Sequence, residues 1–195
     1  MKKFLSLIMI MFSLFVGMQT MNAQSVNVGY LNSVYSTHNS NITYSMAGNG
    51  VYVGGDYDFN IAPNLDVTPG VYFDYVNYDV AAYTRGNVFY LRVPIHLKYS
   101  YRFSNTVEMF GTAGPSLVYG LGGNTVYHNE GIRYTESFFG DGPRFDVPVG
   151  LELGVNINKN YKVVAGYDFG LVNQSSLKEA KMLRNVLHIG VGYNF

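Results

Sequence analysis

The chain has 195 residues, enough for one domain with a sizeable core or a closed barrel, and no cysteine, which excludes disulfides, thiol nucleophiles, Cys-based metal sites and a lipid anchor on cysteine. Only 13% of its residues are charged, about half the usual share for a soluble domain, while 16% are aromatic, with Tyr supplying 18 residues and Trp none. The formal net charge is +0, so nothing in the balance points to nucleic acid as a partner.

Residues 1–23 read as a secretory signal peptide, with Lys2 and Lys3, an apolar run from Phe4 to Val16, and the small Ala23 ahead of Gln24. The run is short for a bilayer span, which disfavours an amino-terminal membrane anchor. Removing Lys2 and Lys3 with this leader leaves 11 basic against 13 acidic residues, a slightly acidic remainder.

From residue 24 to 195 no useful helical period appears. Segments of roughly ten residues alternate in polarity instead, separated by turn residues. They predict eight strands, near 25–35, 50–59, 65–76, 88–103, 107–120, 144–157, 161–172 and 185–195. The connections alternate too. "NIAPN", "SNT" and "NKN" are tight turns, whereas longer loops are predicted near 36–49, 77–87, 121–143 and 173–184, the last with a short helical turn around Lys178, Glu179 and Lys181. The fold class expected is all-β: an eight-stranded antiparallel up-and-down transmembrane β-barrel over 24–195, with short periplasmic turns and long outer loops.

The strand faces point the same way. In 88–103, Phe89, Leu91, Val93, Ile95, Leu97, Tyr99, Tyr101 and Phe103 share one face, opposite Tyr90, Arg92, Pro94, His96, Lys98, Ser100 and Arg102. Aromatic residues on the apolar face cluster at both ends: Tyr75, Phe89, Tyr119, Phe145 and Phe169 near the long loops, and Phe59, Tyr101, Phe103, Tyr161, Tyr193 and Phe195 near the short turns. Two aromatic rings bounding an apolar band suit the two interfaces of a bilayer. Pro69, Pro94, Pro115 and Pro148 fall inside strands, where each removes a hydrogen-bond donor, so bulges are expected beside them.

The chain ends "NVLHIGVGYNF", with apolar or aromatic residues at every second position before Phe195. That ending resembles the carboxy-terminal signature of bacterial outer-membrane β-barrels. The stretches "LRVPIHLKYSYRF", "FGTAGPSLVYGL" and "RFDVPVGLELGV" resemble the small barrels of the PorT-like and OmpX-like outer-membrane family. The resemblance implies a bacterial outer-membrane protein with both termini periplasmic, in contact with lipopolysaccharide and phospholipid. It also implies that Tyr193 and Phe195 form the signal read by the outer-membrane assembly machinery. For some PorT-like members it implies an accessory role in protein secretion, with an outer-membrane protein as partner.

Eight strands enclose a lumen that side chains just fill. The lumen face is predicted to carry Asp56, Asp58, Asp66, Asp74, Glu108, Asp146, Glu152 and Asp168 against Arg92, Lys98, Arg102, Arg144 and Lys162, with His96 and His188. Unpaired charges there are costly, so a paired network plugging the barrel is expected. Asp66, Asp74 and Glu108 flank the basic strand, and glycines on the same face are expected to make room for long basic side chains. A proton or small-solute path is the alternative.

Catalysis on such a barrel would need a His with a nearby Ser and a carboxylate. None of His38, His96, His128 or His188 has that context in sequence, although His38 and His128 could share a weak metal site. No catalytic residue, metal or cofactor is expected, and a lipid-modifying enzyme is the less favoured alternative. The outer loops remain. Loop three carries Tyr127, Arg133, Tyr134, Phe138 and Phe139, the makings of a binding surface, or of a segment that folds over the mouth or extends the strands as a hairpin.

Overall fold

Alternating segments that follow one another closely along the chain pair with their sequence neighbours, and the computed structural model shows that pairing carried right round, the last strand joining the first. It describes residues 24–39, 42–81, 84–129, 132–140, 142–175 and 181–195; the leader, and the centre of the proposed helical turn at 176–180, lie outside the described residues. The strands are β1 (Gln24–Asn39), β2 (Ile42–Tyr57), β3 (Phe59–Ala62), β4 (Leu65–Ala81), β5 (Thr84–Arg102), β6 (Val107–Asn129), β7 (Ile132–Ser137), β8 (Phe145–Asp146), β9 (Val149–Ile157), β10 (Tyr161–Phe169) and β11 (Lys181–Asn194). All pair antiparallel. β2 bonds both β1 and β4, and β1 bonds β11, so the sheet returns to its start and closes. Around the ring there are eight staves, because β2 and β3 continue one another, as do β7, β8 and β9. The chain is an eight-stranded up-and-down barrel.

The long loops are shorter than expected. Most of 36–49, 77–87 and 121–137 is strand: Asn39 pairs with Ile42, Ala81 with Thr84 and Asn129 with Ile132. The polar side chains there suggested loop, but backbone amides pair whatever the side chain when both arms leave the wall as a continuous ribbon. The short turns follow their residues. Asn64 (φ 63), Asn158 (φ 52) and Lys159 (φ 67) take left-handed conformations at two of them. At the third, Ser104 Oγ accepts from the backbone N–H of Thr106 (3.2 Å) and Val107 (3.0 Å).

The outward face is the apolar one, and both aromatic rings lie on it. Tyr75 and Phe89 are cross-strand partners with ring centroids 5.0 Å apart, as at the other end are Tyr161 and Tyr193, at 5.9 Å.

The prolines behave differently from expectation. The register runs through all of them unshifted, and the bulges lie elsewhere, between Asn60 and Ala62, Phe89 and Tyr90, and Asp79 and Ala81. Instead, rungs are missing. β2–β4 pairing ends at Asp56↔Gly70, beside Pro69. Between β4 and β5 it skips from Pro69↔Ile95 to Tyr72↔Arg92, between β5 and β6 from Pro94↔Ser116 to Leu97↔Ala113, and between β6 and its next neighbours from Pro115↔Val149 to Val118↔Asp146. The four prolines thus sit on two adjacent rows across neighbouring staves, each deleting a donor without displacing the chain. The inward/outward assignments consequently hold on both sides of each proline.

Candidate functional site: the filled lumen and the long-hairpin mouth

With every second side chain pointing inward, a barrel of this width must pack its interior in layers. At the short-turn end a polar vestibule of about 560 Å³ is bordered by Arg102, Glu108, Asn156 and Lys159 and narrows onto Lys98 and Asp58, whose charged atoms lie 2.5 Å apart. Beside that pair, Asp56 accepts from Ser25 Oγ (2.6 Å), Asn27 Nδ2 (2.8 Å), Tyr72 Oη (2.5 Å) and Lys162 Nζ (2.9 Å). The Phe110 ring sits between the two ammonium groups, 4.8 Å from Lys98 Nζ and 5.6 Å from Lys162 Nζ.

The middle layer is acid, imidazole and hydroxyl. Glu152 meets His188 Nε2 at 3.1 Å and accepts from Thr112 Oγ1 at 3.1 Å; Thr112 reaches His96 Nδ1 at 3.3 Å, and His96 Nε2 reaches Ser116 Oγ at 3.4 Å. Arg92 donates twice to Asp74, from Nε at 3.1 Å and Nη2 at 3.2 Å, and lies over the rings of Tyr72 and Tyr52. Above it an aromatic layer of Tyr35, Tyr78 and Tyr90 closes over Arg184, and Phe138 and Phe139 rest on that layer from the mouth.

Of the lumen residues named from sequence, Asp74 and Arg92 meet as a buried pair. Lys98 has Asp66 as its cross-strand neighbour but bonds Asp58, while Asp66 accepts from Asn60 Nδ2 at 3.0 Å. Arg102 and Arg144 stay out of the interior. Arg102 lies 3.8 Å from Glu108 at the exposed rim, and Arg144 stacks on Phe139 at 5.4 Å. Both stand at strand ends, where water solvates a guanidinium at no desolvation cost. The inward glycines do not accommodate long basic side chains. A Cβ at Gly154 would strike Phe110, at Gly190 Tyr52, and at Gly166 His188 and Glu152, so the space goes to rings and acids.

The expected strand at 185–195 starts four residues short of β11 and so leaves Arg184 out. Read as a continuation of the alternation His188, Val186, Arg184, it belongs to the inward face. Tyr90 lies inward with Arg92 as its parity predicts, and Tyr52, Tyr72 and Tyr78, which the sequence reading does not single out, share parity with neighbouring inward charges in the same way.

Loop three divides. β6 and β7 form a hairpin on which Tyr127 and Tyr134 stack face to face, centroids 4.6 Å apart and planes 9° apart, with Arg133 and Tyr134 exposed. Phe138 and Phe139 turn back: Phe138 stacks on Tyr78 at 5.3 Å and Phe139 meets Tyr90 edge-on at 6.1 Å. The hairpin and the folding-over are therefore both present, on different residues. The main chain of His38 and His128 lies on β1 and β6, and among the described residues no three His, Asp or Glu side chains are grouped to hold a metal.

A family model described as an outer membrane protein beta-barrel domain matches residues 8–195. The chain belongs to that family. A search of curated proteins gave no match. Solved structures that this outer-membrane barrel resembles include Ail, the attachment invasion locus protein of Yersinia pestis (17% identity, 90% of this chain and 100% of that one, TM-score 0.46). They also include neisserial surface protein A (16%, 87% and 97%, 0.47) and OprG from Pseudomonas aeruginosa (11%, 90% and 96%, 0.47). The protein is a transmembrane β-barrel of the bacterial outer membrane.

Among the described residues, the lumen from Lys98 to Arg184 is occupied by buried side chains. Purified barrel in a planar bilayer is expected to give no step-like currents; regular steps at constant voltage would show that the packing breaks somewhere between Lys98 and Arg184.

Proposed function

We propose that this barrel is a non-enzymatic interaction protein of the outer membrane, exported by residues 1–23, with both termini periplasmic and the β6–β7 hairpin on the cell surface. The single observation that carries the reading is that hairpin: an exposed Arg133 and Tyr134 on a ribbon stiffened by the Tyr127–Tyr134 stack and tied to the wall by Phe138 and Phe139. Aromatic and Arg side chains held rigidly lose little entropy on binding and supply most hot-spot energy at interfaces. The occupant fitting this surface is another protein of the outer membrane, with the barrel as its accessory subunit. In the same reading Tyr193 and Phe195, exposed at the end of β11, are the assembly signal.

Catalysis is disfavoured by burial. The hydroxyls that meet an imidazole among the described residues, Thr112 and Ser116 on His96, are 7% and 1% exposed in mid-lumen.

The test is native co-purification from outer membranes in mild detergent, comparing the unaltered protein with a double variant, Arg133→Ala with Tyr134→Ala. Residues 138 and 139 stay untouched because they support the fold. A stoichiometric protein that falls at least about tenfold in the variant is expected, the loss of two hot-spot side chains. A barrel that comes down alone from both strains overturns the accessory-subunit reading.

A further inference from the structure

We propose that the outer surface of β1, β2, β4, β5 and β6 carries a binding strip for the sugar headgroup of a glycolipid in the same membrane. Five asparagines form one row there. Asn32 is the cross-strand partner of Asn49, Asn49 of Asn77, Asn77 of Asn87 and Asn87 of Asn124, so the row crosses five adjacent staves without a gap. It stops at Asn32, whose other partner, on β11, is the apolar Leu187. With strands about 4.8 Å apart the row is about 19 Å long, which suits a headgroup of more than one sugar ring.

The row faces outward. Leu31, Val76, Val88 and Thr125, next in sequence to four of these asparagines, are buried in the lumen, and Asn49 shares their partners' side by pairing between Asn32 and Asn77. Two residues nearer the short turns, the same staves carry Tyr30, Val51, Tyr75 and Phe89, again in cross-strand register. Tyr75 and Phe89 belong to the aromatic ring of the long-hairpin end. Each asparagine therefore stands one step beyond the interface position of its own stave, on the headgroup side. Amides are costly among lipid tails and find partners among headgroups.

The hydrogen bonds along the row repeat. On the β1–β2 hairpin, Tyr30 Oη and Asn32 Nδ2 (3.0 Å) both donate to Asn49 Oδ1. On the β4–β5 hairpin, Tyr75 Oη (2.8 Å) and Asn77 Nδ2 (2.7 Å) both donate to Asn87 Oδ1. An amide oxygen has two lone pairs, so both acceptors are filled and both amides are held in place. Their Nδ2 groups donate to no protein acceptor among the described residues, and Asn124 makes no side-chain hydrogen bond among them. The Oδ1 atoms of Asn32 and Asn77 remain open as acceptors. Fixed donors and acceptors without net charge match hydroxyls, each of which both donates and accepts. A phosphate calls for a cation. Arg85, one step further out, is already matched by Asp79 at 3.9 Å.

The experiment labels asparagine side chains with nitrogen-15 and places the barrel in phosphatidylcholine nanodiscs. Digalactosyl diacylglycerol, a neutral two-sugar lipid, is titrated against the anionic phosphatidylglycerol, with the side-chain amides followed by NMR. Saturable shifts are expected at Asn49, Asn87 and Asn124 with the sugar lipid, while Asn27 and Asn156, buried in the lumen, stay still. The sugar lipid should bind at least about tenfold tighter than phosphatidylglycerol, the effect of two neutral hydrogen bonds. Asn49→Leu combined with Asn87→Leu should remove that preference, read at Asn124. Equal affinity for the two lipids, an undiminished preference in the double variant, or no saturable shift each overturns the proposal. So do shifts that appear without glycolipid when two barrels share a disc, which would make the row a contact between copies. Should the double variant fail to fold, the lipid comparison on the unaltered protein decides. Placing the strip in the outer leaflet rests on the orientation proposed above. Both faces of a nanodisc hold the same lipids, however, so the outcome is independent of orientation and of any partner of the hairpin.

Discussion

Asp74→Ala is expected to lower the unfolding free energy by about 3–5 kcal/mol, measured by urea titration of the barrel in lipid vesicles. The pair it breaks has side chains only 5% and 1% exposed, and the guanidinium left behind loses both of its carboxylate bonds. Face-on contacts with Tyr72 and Tyr52 remain, but ring quadrupoles replace only part of a full opposite charge. The pair itself is worth much less than this loss, because burying two ions consumes most of their mutual attraction. Asp74→Leu combined with Arg92→Met is therefore expected to return most of the lost stability, and the two changes will be strongly non-additive. A loss under about 1 kcal/mol for Asp74→Ala would mean that water already reaches Arg92, as at an exposed pair.

The second large effect is steric. Gly50 faces inward on β2, and a Cβ there would lie on the carbonyl oxygen of Tyr75 in β4, well inside van der Waals contact. A side chain in the way can rotate, but a carbonyl belonging to the ladder cannot, and β2–β4 is one of the two pairings, with β1–β11, that hold the first hairpin in the wall. Gly50→Val is expected to cost more than about 3 kcal/mol, beyond the usual span for overpacking. In practice, the heat-modifiable folded band on a gel should disappear. Gly122→Ala is the matching control, since a Cβ there meets nothing within 4 Å. An intact folded band in Gly50→Val would show that β2 and β4 move apart freely.

The two results bear on what the sequence made legible. Parity along β5 placed Arg92, His96 and Lys98 inside and Ile95, Leu97 and Tyr99 outside, because one buried face forces an all-or-none choice at each strand. It could not pair the charges. Lys98 faces Asp66 across the ladder but takes Asp58, between β2 and β3 and one stave beyond β4, since in a narrow lumen a long side chain reaches past its nearest neighbour. Strand ends were the weaker part. Arg184 and the hairpin arms of β1, β2, β4 and β6 carry Ser, Thr, Asn and Gly, whose polarity says nothing about whether their amides are paired. Phe138 and Phe139 belong with Tyr127, Arg133 and Tyr134 by chain proximity, yet the bend after β7 sends them to the lumen's lid while Arg133 and Tyr134 stay in the open.

The two rows of prolines give the cylinder a stiffness that depends on direction. From β10 through β11 to β1 the ladders run without a skipped rung, from Tyr161 to Asp168 and from Ser25 to His38. On the opposite side one line crosses β2, β4, β5 and β6 and reaches β8 and β9 with the ladder thinned at each step, down to Ser116 N–H donating to the Pro148 carbonyl at 2.9 Å at the last, because each proline has no N–H to offer. Such a wall carries a permanent crease. Under lateral load from lipid or a neighbouring protein, the tube is expected to flatten along that line first, giving the barrel a front and a back although its topology is uniform all round.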